Sequence, residues 1–237
     1  MADLAAENGA KVIQGLVTEI KEEHGKVTSV VYTAKGDSGN SEKKTLKATD
    51  VLICAGPWTR KLYPAAPIVG LRQHSVILRP PRPLSAYMLF TEISFPTTST
   101  KRAQHITSEI FTRPNNTVWV ASGAGTHCDL PTTADDVIPD KDACDEIVSN
   151  VSAISEELRT ADVYVHQTCY LPNIEGDVPG PILGATDTEG LWIAAGHSCW
   201  GIQNGPGTGK IMSEFVFEGS AKSADVSQLD IKHLKDD

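Results

Sequence analysis

Apolar and polar residues fall into three textures along this chain. In the first, Gly15-Leu-Val-Thr-Glu-Ile and Lys26-Val-Thr-Ser-Val-Val-Tyr-Thr alternate and flank His24-Gly25, which predicts two strands paired around a tight turn. Residues 2–8 read as the end of a helix closed by Gly9, and Lys11–Ile13 as the start of a strand. Residues 34–45 are polar and Gly-rich, the composition of a hairpin tip. Asp50-Val-Leu-Ile-Cys-Ala-Gly breaks the alternation. Its unbroken apolar run, ending in small residues, predicts a strand buried on both faces, as in a parallel sheet.

The second texture begins at Pro64. Proline joints (Pro80-Pro81, Pro83, Pro96) separate short alternating segments at 70–79, 85–93, 105–112 and 117–123, and Pro114-Asn115-Asn116 reads as a hairpin turn between the last two. This predicts a mostly antiparallel sheet. Asp140–Leu158 then carries helical spacing at Ala143, Ile147, Val151, Ile154 and Leu158, and Val163–Leu171 reads as a further strand. The third texture returns to buried-strand character in Gly190-Leu-Trp-Ile-Ala-Ala-Gly, followed by a helix over Gly207–Phe217 and a polar tail over 220–237. The expected fold is mixed α/β, with two domains and two crossings between them. One is an α/β unit of residues 1–63 and 187–219; the other is an antiparallel unit of residues 64–186.

Composition narrows this by exclusion. The 237 residues carry 21 Lys+Arg against 30 Asp+Glu, a net charge of −9, and 40% hydrophobic residues, so the chain is globular in class. The acidic balance opposes nonspecific nucleic-acid binding, which needs Lys and Arg on phosphates. No apolar run approaches the roughly 20 residues that cross a bilayer as a helix. Met1 opens onto Ala-Asp-Leu-Ala-Ala-Glu without a basic and apolar leader, so a cytoplasmic location is expected. Cysteines at 54, 128, 144, 169 and 199 are odd in number and scattered, with no CxxC, which reads as reduced thiols.

Some tempting patterns fail on chemistry. Gly205-Pro-Gly-Thr-Gly-Lys210 resembles a phosphate-binding loop, but Asn204 stands where the leading Gly belongs, and Ile211 stands where a magnesium-holding Ser or Thr belongs. A glycine-rich helix start packed closely on a neighbour is the better reading. His127, Cys128, Cys144, His197 and Cys199 lack zinc-site spacing. Asp135-Asp136 and Glu156-Glu157 are adjacent pairs with the character of solvated surface charge.

Two stretches place small residues where packing alone would not ask for them: Val51-Leu-Ile-Cys-Ala-Gly-Pro-Trp58 and Gly190-Leu-Trp-Ile-Ala-Ala-Gly-His-Ser-Cys-Trp-Gly-Ile202. In open α/β sheets ligands sit beyond the carboxyl ends of strands, where glycine lets a ligand approach the backbone. Together with Cys169-Tyr-Leu-Pro, Asp177-Val-Pro-Gly-Pro-Ile-Leu-Gly and Gly205-Pro-Gly-Thr-Gly, the second stretch resembles the C-terminal signature of the D-amino-acid-oxidase-like FAD-dependent oxidoreductases, which include glycine and sarcosine oxidases. The Gly-His-Ser-Cys-Trp-Gly-Ile wording is closest to a fungal and plant branch. Gly9-Ala-Lys-Val, Gly15-Leu-Val-Thr-Glu-Ile, Gly70-Leu-Arg-Gln-His-Ser-Val and Phe111-Thr-Arg-Pro-Asn-Asn-Thr-Val-Trp-Val follow in the family's order.

The resemblance implies a Rossmann-like FAD domain beside an antiparallel substrate domain, and a small-molecule substrate such as an amine. It places the Val17 backbone at the adenine and Ala55, Gly56 and Trp58 near the phosphates and flavin. Gly196, His197, Ser198, Cys199, Trp200, Gly201 and Ile202 would lie along the ring. On the substrate side it offers His74, Ser75 and Arg113, with Arg72 and Arg79 as further candidate anion binders. It also implies late-endosome association. Two departures matter. The family's opening strand, Gly-x-Gly-x-x-Gly turn and ribose-binding acid do not occur in this sequence, so the FAD domain is expected to be incomplete and truncated at its N-terminus. Residues 1–237 alone are then expected to hold FAD weakly or not at all. Leu171 stands where amine oxidases of the family often carry a carboxylate-holding Arg. The rival expectation is a non-catalytic relative acting as an interaction or trafficking module.

Overall fold

The computed structural model describes residues 1–36, 42–97, 103–176 and 180–232. In chain order its elements are α1 (Ala2–Glu7), β1 (Gly15–Glu23), β2 (Lys26–Ala34), β3 (Lys43–Lys47), β4 (Val51–Ile53), α2 (Thr59–Leu62), β5 (Ile68–Arg79), β6 (Met88–Phe95), β7 (Gln104–Arg113), β8 (Thr117–Ser122), β9 (Thr126–His127), α3 (Lys141–Val151), α4 (Glu156–Arg159), β10 (Asp162–Ile174), β11 (Ile182–Ala185), β12 (Leu191–Ala195) and α5 (Gly201–Glu218). The fold is mixed α/β with several sheets. The chain divides into a unit of Met1–Val69 with Pro172–Asp237 and a unit of Gly70–Leu171, so the boundaries fall inside β5 and β10.

The first unit holds two three-stranded sheets, ordered β1-β2-β3 and β11-β12-β4. His24 and Gly25 both take positive φ (52° and 75°), the conformation that lets a two-residue turn follow the twist of β1 and β2. In the second sheet β4 pairs parallel with β12, Val51 opposite Leu191 and Ile53 opposite Ile193, while β11 pairs antiparallel with β12. Ile53, Ile68, Ile182, Leu191, Ile193 and Ile231 form one buried cluster, and Leu183, Ala194, Met212 and Val226 form another. Burying each such large side chain is worth about 1.5–3 kcal/mol.

Several sequence expectations shift in this unit. Residues 10–14 form no strand, and Val12 is 74% exposed, because no strand among the described residues pairs with that segment. Residues 37–41 of the expected hairpin tip, and Asp177–Pro179 of the quoted signature, lie outside the described residues. Helix α5 starts at Gly201, earlier than expected, and takes Pro206 inside it before ending on Gly219 at φ 80°. A Cβ at Gly205, Gly207 or Gly209 would meet nothing within 4 Å, so these glycines are not packed closely on a neighbour as expected. Residues 220–232 of the segment read as a polar tail fold back: Val226 and Ile231 are buried, two apolar anchors in a run whose polarity hid them, while 233–237 lie outside the described residues.

The second unit is built on the sheet β10-β5-β8-β7-β6, with β9 also on β5. Val76, Leu78, Ile110, Val118 and Val120 point to one face and meet Cys144, Ile147, Val151 and Leu158 of the helices. Asp140 caps α3 by accepting from the Asp142 and Ala143 amides. The single helix expected over 140–158 is two, because Ser155 leaves helical geometry and caps α4 by accepting from the Leu158 amide. Asn115 and Asn116, both at positive φ, turn β7 into β8.

Candidate functional site

Parallel pairing of β4 with β12 puts their carboxyl ends side by side, as the two sequence stretches suggested. Beyond β4 the chain passes half-buried Ala55 to Gly56, at φ 53°, where a Cβ would meet nothing within 4 Å, and on to half-buried Trp58. Beyond β12 it reaches Gly196 at φ 87°, buried so tightly that a Cβ would lie 2.8 Å from the Ile174 side chain. One strand end thus leaves open space and the other is fixed by packing.

The turn after β12 is unusual in its backbone. Ser198 holds φ 50°, a conformation L-residues adopt at a cost of about 1–3 kcal/mol, and the strain is absorbed where the chain swings from strand to helix. His197 braces it, its Nε2 2.8 Å from Thr208 Oγ on α5, and burial lowers the His197 pKa so the ring is neutral at pH 7. Cys199 and Trp200 are exposed and Ile202 is 98% exposed. No side chain caps α5; the 3-10 turn Ser198–Trp200 leads into it, with the Trp200 amide donating to the His197 carbonyl, and the partial positive charge of this 18-residue helix lies at its Gly201 end. Val17 lies apart, on β1 of the hairpin sheet, exposed and paired with Tyr32 beside a bulge.

In the second unit, strand alternation sorts the substrate-side candidates. Opposed residues of antiparallel strands share a face, so Ser75, Ala121 and Glu109 form one row and Ile77, Trp119, Phe111 and Met88 the next, with Arg113 beyond. This face is the one turned away from α3. Phe111 stacks on Trp119 at 5.0 Å between ring centroids and meets Phe90 edge-on at 5.7 Å. Phe90 is 73% exposed. Arg79 lies over the Tyr164 ring, 4.2 Å from its centroid. His74 does not join Ser75 and Arg113: adjacent residues of a strand face opposite ways, and its Nε2 accepts from the Asp140 amide at the start of α3.

The aromatic cluster draws Phe90, Phe111 and Trp119 from three strands, so it is the strand register, not a motif in the sequence, that brings them together. Nothing in the sequence marked His166, whose Nε2 is buried without a partner. Among the described residues no group of His, Cys, Asp and Glu is placed to hold a metal ion, and all five cysteines are free.

Comparison with known proteins now decides the family. Residues 1–215 match the DAO family, FAD dependent oxidoreductase. The chain belongs to that family. It is similar to the Saccharomyces cerevisiae protein TDA3, named as an oxidoreductase, with 37% identity over 186 residues, 77% of this chain and 34% of that protein. It also matches the Schizosaccharomyces pombe protein C1F5.03c, with 33% identity over 78% of this chain and 46% of that protein. The chain therefore spans a third to a half of the length of these relatives. Among solved structures, L-proline dehydrogenase from P. horikoshii aligns with TM-score 0.72 at 16% identity, covering 99% of this chain and 57% of that one. Glycine oxidase from Bacillus cereus aligns with TM-score 0.69 at 20% identity, covering 95% and 57%. At these identities the likeness is one of fold. For a DAO-family oxidoreductase the cofactor is FAD.

Proposed function

We propose that this chain carries the flavin-ring side of an FAD-dependent oxidoreductase, with its substrate on the helix-free face of the second unit's sheet. The observation that carries the reading is the pair of adjacent parallel strand ends, each running through a positive-φ glycine, with an uncapped helix N-terminus following one of them. The ring side fits FAD: Gly56 leaves room for close approach, and the α5 N-terminus favours the negative charge a reduced flavin carries. When bound, FAD supplies the two-electron acceptor chemistry. In this reading Gly196 fixes the turn, Thr208 holds the neutral His197, and Trp200 and Ile202 offer apolar surface to the ring.

The pyrophosphate side does not fit, because no Gly-x-Gly-x-x-Gly occurs in the sequence. Each charge-assisted hydrogen bond lost there is worth about 1.5–3 kcal/mol, so residues 1–237 alone hold FAD weakly. On the substrate side, Leu171 in place of a cation and the Phe90–Phe111–Trp119 row favour an amine with apolar or aromatic character over an amino acid. Ser75 and Arg113 line that face and His74 does not. Among the described residues no helix is long and apolar enough to cross a membrane; a cytoplasmic location with late-endosome association is part of the same proposal, to be checked by fractionation. The test of the cofactor assignment is Gly201→Val. A Cβ at Gly201 meets only the His197 Cβ at 3.6 Å, an ordinary contact, so the variant keeps the fold. It should lose FAD binding, read by quenching of flavin fluorescence; binding equal to the parent would sink the assignment.

A further inference from the structure

The helix-covered face of the second unit's sheet is closed by apolar residues along most of its length and then opens. Where Val76 and Leu78 would be followed by more apolar residues, β5 places His74 and Arg72, and β8 ends in Ser122. Opposite them α3 presents the small Ala143, and a cavity of about 400 Å³ results, lined also by His105, Glu146 and Asn150. That is within the size range of small-molecule sites.

Its chemistry is set by Arg72. The guanidinium is half-buried, donates from Nη2 to the Ile138 carbonyl at 2.7 Å, and keeps a fully buried Nε that has no partner. Arg60, Arg82 and Arg159 each pair with a glutamate, and Arg79 covers a tyrosine ring, but no carboxylate of the described residues pairs with Arg72. A partly desolvated cation without a carboxylate partner is costly unless an acceptor meets the part of its guanidinium that stays accessible. His74 adds a donor. Its Nε2 accepts the Asp140 amide, so the neutral ring carries its proton on Nδ1; burial, and then the Arg72 charge, lower its pKa and keep it neutral. Ser122 Oγ, 2.7 Å from Ser108 Oγ, also accepts from Asn150 Nδ2 at 3.4 Å, which fixes the polar wall. Glu146 is exposed at the mouth, where solvent screens its charge.

We propose that this cavity binds a small oxyanion, carboxylate or phosphate, on the Arg72 guanidinium. The site uses no residue assigned to the flavin or to the open face, so it stands whether or not that reading does.

The test is calorimetric titration of the full chain at constant ionic strength, with inorganic phosphate in one arm and acetate in the other. Saturable binding of either at one site per chain is expected, and the arm that binds identifies the source. Arg72→Gln should weaken it about tenfold or more. Ala143→Leu keeps Arg72 and narrows the cavity opposite it with a good helix former, and should weaken binding. Arg60→Gln, on an exposed ion pair of the other unit, should leave it unchanged. If Arg72→Gln fails to fold, Ala143→Leu decides alone. No saturable binding in either arm, or binding as tight as the parent's in Arg72→Gln or in Ala143→Leu, overturns the proposal.

Discussion

The two units solve the problem of burying a sheet differently. In the second, α3 and α4 seal one face of a five-strand path, and Val76, Leu78, Val120 and Val151 lose all contact with water. In the first, the sheet β11-β12-β4 is only three strands wide, β4 is an edge, and Leu52 on it is 39% exposed. Val12, Ile13, Ile202 and Phe217 of the same unit are exposed as well. On its helix-covered face the second unit keeps its apolar residues for stability, while its other face exposes Met88 and Phe90. The first unit shows apolar residues and unpaired strand backbone at its surface, which marks a place for binding or for association.

The largest effect should come from the sealed core. Leu78→Ala removes a fully buried side chain and should cost about 2–5 kcal/mol in denaturant unfolding. Leu52→Lys on the open edge should leave stability within about half a kcal/mol and reduce self-association of the chain in sedimentation velocity. Equal losses from the two substitutions would erase the contrast between the units.

Next in size are the two glycines of the turn after β12. Gly196→Ala forces a side chain into φ 87° and onto Ile174, and should cost about 1–3 kcal/mol for the backbone alone. Gly201→Ala, at the start of α5 and in ordinary contact only, should leave thermal stability unchanged or slightly raised. If Gly196→Ala were as stable as the parent, the turn would not be a fixed platform.

A smaller, local effect concerns the folded-back segment after α5. The buried Glu214 carboxylate accepts from the Ser223 hydroxyl and from the Lys222 and Ser223 amides, with Lys210 Nζ at 3.0 Å, and these bonds lower its pKa to about 2. A carboxyl whose folded pKa lies below its ordinary value stabilises the fold above that ordinary value, and the contribution fades as pH falls toward the folded pKa. Amide exchange of residues 220–232 should therefore quicken as pH is lowered from about 4.5 toward 2, after correction for intrinsic rates. Glu214→Gln should raise exchange at neutral pH and flatten that dependence.

Much of the fold was legible because period-two alternation and turn chemistry are local. β5, β7 and β8, the His24-Gly25 turn and the strands β4 and β12 all fall where pattern placed them, but β4 is not buried on both faces as expected: it is an edge strand that exposes Leu52. What failed was decided by partners rather than by sequence. Lys11–Ile13 has strand residues but no strand to pair with, and Ser155 ends a helix that spacing alone would continue. Val226 and Ile231 are anchors only because Glu214 fastens the chain between them and α5. The strand ends of the candidate site were readable from their small residues. Strand alternation alone separates His74 from Ser75, but which of them lies under α3 required the structure, and the Arg72 cavity required knowing that Ala143 stands opposite it.

The central claim is that the strand ends of the first unit form a flavin-ring site without a pyrophosphate cradle. Its most direct test is titration of residues 1–237 with FAD and with riboflavin, read by flavin fluorescence. If the ring supplies most of the contact, both should bind weakly and saturably, with dissociation constants within about tenfold of each other, and Gly201→Val should abolish both. FAD that co-purifies at one per chain, or that binds orders of magnitude more tightly than riboflavin, would contradict the claim.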